Sequence, residues 1–123
     1  MAKKKASIKS LAHCEREHRK LAERLSRIGF IWPGSLSRRY LTCGNSECAC
    51  QRDSKARHGP YIYWSTKKAG KTISRKLPPE EAHLLEGWIA NRQEIKAIVD
   101  QMMAISQAAF GIIENMSDPK LRR

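Results

Sequence analysis

Two periods of hydrophobic and polar positions alternate along this chain. Over residues 7–28, Leu11, Cys14, His18, Leu21, Leu25 and Ile28 follow one another at spacings of 3, 4, 3, 4 and 3, which puts them on one seam of an amphipathic helix. Arg16, Arg19, Lys20, Arg24 and Arg27 fall on its other faces. Gly29 can end this helix, and Pro33-Gly34 marks a turn after it. A second seam alternates spacings of 4 and 3 through Leu84, Trp88, Asn91, Ile95, Ile98, Met102, Ile105, Ala109, Ile112 and Met116, with Asn91 as its single polar interruption. Pro78-Pro79-Glu80-Glu81 opens it, because proline is tolerated in the first turn and glutamates complement the positive end of the helix dipole. A helix from Pro79 to Met116 would run roughly 55 Å at about 1.5 Å per residue. Gly87 and Gly111 each weaken it by about 1 kcal/mol relative to alanine where exposed.

Between these helices the period falls to that of strands. Residues 35–42, 60–66 and 72–77 read as β-structure, with Lys67-Lys68-Ala69-Gly70-Lys71 closing a hairpin in which Gly70 supplies a positive backbone angle. On the middle strand Tyr61, Tyr63 and Ser65 share one face and Ile62, Trp64 and Thr66 the other, so one face packs, with Trp64 in the core, while the other stays available. The expected architecture is α+β: an N-terminal helix in residues 1–33, a small antiparallel sheet with a Cys/His loop in 34–78, and a long, coiled-coil-like helix and tail in 79–123. At 123 residues this makes a single domain overall. The long seam exceeds what so small a core can cover. Part of it is expected to meet the first helix and the rest to form a homodimer.

Charge then narrows the choice of partner. The net charge of +12 is divided as +8 over residues 1–40, +6 over 41–77 and −2 over 78–123, so positive charge belongs to the first two-thirds. That asymmetry suits one face for a polyanion and another for packing or a protein partner. With 41% hydrophobic and 29% charged residues and no long apolar run, the chain reads as soluble, with no membrane partner. The amino-terminal lysines Lys3, Lys4 and Lys5 are not followed by an apolar stretch, so a cytoplasmic location is expected. Thiols stay reduced there, and clustered cysteines serve metal or redox chemistry more often than disulfides.

Cys43, Cys48, Cys50 and His58 form the pattern C-x4-C-x-C-x7-H. Three thiolates and one neutral imidazole are a suitable ligand set for a closed, tetrahedral structural zinc site. The pattern lacks paired C-x2-C knuckles, and C-x-C needs a local turn to aim both sulfurs inward; Gly44, Asn45 and Ser46 suit such a turn. Buried reduced thiols, or a redox pair at Cys48 and Cys50, are the competing readings. A closed zinc site would order the loop rather than catalyse, coupling metal binding to folding. Cys14 and His18, four apart on the first seam, have chelating spacing, but no second pair accompanies them and packing is their more ordinary role.

Gly34-Ser35-Leu36, Arg39-Tyr40, Cys43-Gly44, Cys48 with Cys50, His58-Gly59-Pro60-Tyr61, Tyr63, Ser65, Gly70-Lys71-Thr72 and the prolines at 78 and 79 resemble the ordered core of a family of small uncharacterised bacterial proteins. That core reads GSL...CG...C.C...HGPY.Y.S...GKT and is followed by a long helix. The resemblance covers residue 34 to about residue 79 and leaves the N-terminal helix outside. It implies a bacterial or mobile-element origin, near transposase and phage genes, and implies no particular reaction.

The function expected from these residues is nucleic-acid binding, to DNA rather than RNA, by an accessory or regulatory protein. Arg38, Arg39, Lys67, Lys68, Lys71, Arg75 and Lys76 lie on or beside the strands, with Tyr61 and Tyr63 interleaved; cations would contact phosphates and tyrosines would stack on unpaired bases. The alternative is a coiled-coil adaptor whose helices are the working surface. An enzyme is not expected, since the chain carries no phosphate-binding glycine loop, no H-E-x-x-H and no nucleophile beside a recognisable base. The orientation of the hairpin cations discriminates the first two: projection on one face favours nucleic acid, whereas pairing with helix glutamates favours the adaptor.

Overall fold

The computed structural model describes residues 10–116. In chain order these form helix α1 (Leu11–Ser26), strand β1 (Ser35–Leu41), two short 3-10 turns (Ala49–Gln51 and Ser54–Ala56), strands β2 (His58–Lys68) and β3 (Lys71–Leu77), and helix α2 (Pro79–Met116). The expected α+β architecture is the observed one. The described residues fall into two compact units, one of residues 30–92 and one made of the segments on either side of it in sequence. The expected lysine tail, Lys3 to Lys5, lies outside the described residues.

In the unit of residues 30–92 the strands form an antiparallel sheet in the order β1-β2-β3. Register puts Arg39 opposite Tyr61 and Ser37 opposite Tyr63 on one side of β2, and Lys76 opposite Tyr63 and Ser74 opposite Ser65 on the other. The hairpin is tighter than the sequence suggested. Lys68 pairs with Lys71, leaving a two-residue turn in which Ala69 and Gly70 have φ of 53° and 80°, the double positive angle that lets a turn follow the twist of its strands. Leu36, Ile62 and Trp64, of alternate parity to the tyrosines, pack with Trp32 and Trp88 against the buried Leu77, Ala82 and Leu85. The first turns of α2 thus cover one sheet face, and Trp64 lies on that covered side as expected.

Hydrogen bonds to open carbonyls fasten the segment before β1. Asn91 Nδ2 donates to Phe30 O at 2.7 Å, Arg92 Nε to Trp32 O and Arg92 Nη2 to Gly34 O at 3.0 Å each, and Trp64 Nε1 to Pro33 O at 2.8 Å. The polar break in the long seam is therefore a structural anchor. A β-carbon at Gly34, whose φ is +86°, would stand 2.6 Å from Trp64 Nε1, so only glycine lets the chain pass beneath the indole.

In the other unit, α1 begins at Ser10, whose Oγ accepts the His13 N–H at 3.1 Å, an ordinary N-cap. It ends at Ser26 with Arg27 as its C-cap, ahead of the expected Gly29. Its seam is the covered face, with Cys14 and Leu21 buried. Arg24 Nη2 reaches Glu94 Oε2 at 3.6 Å, while Cys14, His18 and Ala22 share a cavity with Ile105 and Ala109, so α1 runs antiparallel to the later part of α2. The long seam is met from within the chain, with Ile98 fully buried. It begins differently from expectation: Ala82 and Leu85 are buried, while Leu84 is half exposed. No helix among the described residues is long and apolar enough to cross a membrane.

Candidate metal centre and the open sheet face

β1 delivers Cys43 just beyond its last residue, and β2 begins with His58, paired to Leu41. Between them the chain is wound by local bonds. Asn45 accepts with both its oxygens, its Oδ1 from Glu47 N–H at 2.9 Å and its carbonyl from Cys48 N–H at 3.1 Å. Cys48, extended at φ −73° and ψ 143°, caps the 3-10 turn that carries the buried Cys50. That change of conformation answers the C-x-C difficulty, because neighbours two apart on a continuing strand would merely share a face. Gln51 Nε2 donates to Cys43 O at 2.6 Å and closes the loop onto its start. Asp53 caps the second turn by accepting Lys55 N–H at 2.9 Å.

The three Sγ atoms and one imidazole nitrogen lie within 4.8 Å of one another. Cys43 Sγ is 3.6 Å from Cys50 Sγ, and Cys48 Sγ is 3.5 Å from His58 Nε2. A tetrahedron built on metal–sulfur bonds of about 2.3 Å and a metal–nitrogen bond of about 2.0 Å has edges of about 3.8 Å and 3.5 Å. These two edges already have the lengths of a coordination shell, and the four ligand atoms are close enough to hold a metal ion. Cys43 N–H also donates to Cys50 Sγ at 3.3 Å, a contact that suits a thiolate.

The thiols differ in acidity. The Cys50 N–H first, and then the Cys50, His58 and Cys43 side chains, bring the Cys48 thiol down to about 6. At Cys50 the Cys43 N–H works in the same direction, yet burial and hydrogen bonds shared with Cys48 and Cys43 outweigh it and push that thiol up. One thiolate is ready to meet a cation, while another gives up its proton only when charge arrives to replace it.

β2 leaves the cluster through Gly59-Pro60, a cis peptide with Gly59 at φ +136°. A β-carbon at Gly59 would lie 2.6 Å from Arg39 O, and the register shifts here between Arg39 and Leu41. This bulge sets the parity that turns Tyr61 and Tyr63 to the uncovered sheet face. That face carries Ser35, Ser37 and Arg39 from β1, Tyr61, Tyr63, Ser65 and Lys67 from β2, and Thr72, Ser74 and Lys76 from β3, without one acidic residue. Arg39 spans the middle strand, its Cζ 4.1 Å from the Tyr63 ring centroid and its Nη2 donating to Ser74 Oγ at 3.3 Å. Lys76 Nζ stands 4.0 Å above the Tyr61 ring.

The structure therefore gathers Arg39, Tyr61, Tyr63, Lys67 and Lys76 on one face and sets Lys68 and Lys71 at the hairpin tip. Arg38 and Arg75 belong to the opposite parity, paired with Ile62 and Trp64, and do not join that face. The described ion pairs are Lys20–Glu17 and Arg24–Glu94; neither involves a sheet cation. Sequence reasoning missed the hydroxyl row Ser35, Ser65 and Ser74 that crosses the three strands. Alternation within each strand carries that signal, but only the pairing register brings the hydroxyls side by side.

The fold and cluster define a class: a small α+β protein in which a Cys3His group able to hold a metal lies between the first two strands of a three-stranded sheet. Within that class the chain belongs to the family described as a domain of unknown function, DUF6788, which matches residues 11–86. The matched span takes in α1 as well as the sheet and all four clustered ligands, and so reaches further toward the N-terminus than the motif core. No curated protein and no solved structure matches the chain.

Proposed function

We propose that this protein is a nucleic-acid-binding accessory or regulatory protein that presents its open sheet face to a phosphate backbone and uses a structural zinc ion to pin that face to its loop. The observation that carries the reading is the composition of the face, which is basic, hydroxyl-bearing and tyrosine-bearing, with no carboxylate in its register. Cations of this kind contact phosphates, and tyrosine and arginine planes offer stacking surfaces. Three thiolates and an imidazole favour zinc over harder cations. Zinc closed on all four sides would leave no coordination position for substrate, so its role is to order the loop, and the protein acts as a binder rather than an enzyme. DNA is the first candidate because the sequence resemblance points to a bacterial, mobile-element setting.

Replacing Lys67, Lys68 and Lys71 together by glutamine tests the reading. If each lysine neutralises one phosphate, the slope of log affinity against log salt falls by about 2 to 3, measured by fluorescence anisotropy on a labelled oligonucleotide. Equal affinity of variant and parent at low salt would remove the hairpin end of the sheet from consideration. A second reading, a helical adaptor or homodimer, is favoured by Val99, Met103 and Phe110, which are exposed on α2; sedimentation velocity distinguishes it.

A further inference from the structure

We propose that the nucleic acid is single-stranded at the site of contact, with one unstacked base seated in a cavity beside the first turn of α2; this rests on the nucleic-acid reading above and deepens it. The cavity measures about 920 Å³ and lies within the unit of residues 30–92. Leu36, Ile62, Leu77 and Pro79 supply apolar walls, and Arg38, Lys76, His83 and Glu86 supply polar groups around them. An apolar chamber of this size with a few polar groups has the build of a small-ligand site and takes a nucleotide comfortably.

Continuity says which ligand fits. Tyr61 and Lys76 line the cavity and also belong to the open face, where Lys76 Nζ stands 4.0 Å over the Tyr61 ring. A strand lying along Arg39 and Tyr63 would thus cross an ammonium group at the cavity edge, where its phosphate is neutralised as its base turns inward. Arg38, which the register separates from the open face, adds a second cation on the cavity side. Glu86 has the acceptor chemistry to meet an exocyclic amino group, and His83 offers a ring that can stack. Bases within a duplex are stacked and paired, so the chamber can admit one only from a single strand or at the cost of unpairing. The structure therefore gives Arg38 a role that the sheet face alone does not.

The test compares oligonucleotides of about 12 nucleotides, as single-stranded DNA, as single-stranded RNA and as DNA duplex of one sequence, with the full chain at low salt. Single strands of either sugar are expected to bind about tenfold or more tightly than duplex. His83→Ala combined with Glu86→Ala, which removes the stacking ring and the acceptor at two exposed lining positions, should remove most of that preference while leaving the salt slope in place. Photo-cross-linking of a 5-iododeoxyuridine strand to the unaltered protein, which requires no variant to fold, should label His83, which lines the cavity and lies off the open face. Duplex bound as tightly as single strand, or adducts confined to other peptides, would overturn the cavity while leaving the basic face standing. No binding of any of the three would overturn both.

Discussion

At Cys48 several donors converge on one sulfur, and the balance among them decides when the loop can take a cation. Its extended backbone lets the following 3-10 turn bring the Cys50 N–H toward the sulfur, and that donor, with the Cys50, His58 and Cys43 side chains, brings its pKa from 9.0 to about 6. The thiolate is the nucleophile, so in metal-free protein that keeps this turn iodoacetamide should modify Cys48 at a rate that rises with pH through a midpoint near 6. The buried Cys50, moved upward, should lag behind. Fragment mass spectra locate the label, and one equivalent of zinc should abolish it; a Cys48 that reacts only above about pH 8, as an ordinary thiol does, would mean that the turn dissolves when the metal leaves. The ligand types and their spacing were legible in the sequence. The inequality of the thiols was not, because it depends on which N–H groups a folded turn aims at each sulfur.

Elements were legible where one periodic signal ran unopposed, and least so where strands meet. The long helix occupies Pro79–Met116, as its seam and its proline–glutamate start required. Asn91, a flaw in that seam by hydrophobicity, donates to the Phe30 carbonyl, which a pattern of apolar positions has no means to show. The hairpin came out two residues long rather than five because both strands continue through lysines, whose side chains carry no strand signal but whose backbones pair readily. Its turn leaves Ala69 at φ 53°, a region where a β-carbon is disfavoured and asparagine is tolerated. Ala69→Asn should therefore stabilise the protein by roughly 0.5–1 kcal/mol, a rise in melting temperature of about 2–5 °C. A fall would mean that the turn departs from the double positive geometry.

On the scale of the whole molecule, the chain divides into two compact units, and the group able to hold a metal belongs to only one of them. The loop between β1 and β2 is polar, and apart from Cys50 it buries no side chain. Its order rests on short-range turns and on the Cys/His cluster. Structural zinc in small domains contributes about 10–16 kcal/mol of apparent binding free energy at neutral pH, comparable to or above the roughly 5–15 kcal/mol that keeps a whole domain folded. Stripping the metal should therefore release the loop and the β1–β2 pairing nearest to it. The helical unit has its own fastening: Cys14, Leu21 and Ile98 are buried without help from the loop, and Arg24 reaches Glu94 at 3.6 Å. Hydrogen exchange before and after chelation should then show protection lost across residues 43–58 and at Arg39 to Leu41, with α1 retained. Cys48→Ser should reproduce the pattern without a chelator. Uniform loss through both units would make the metal a keystone of the whole chain, and unchanged exchange would remove its scaffolding role.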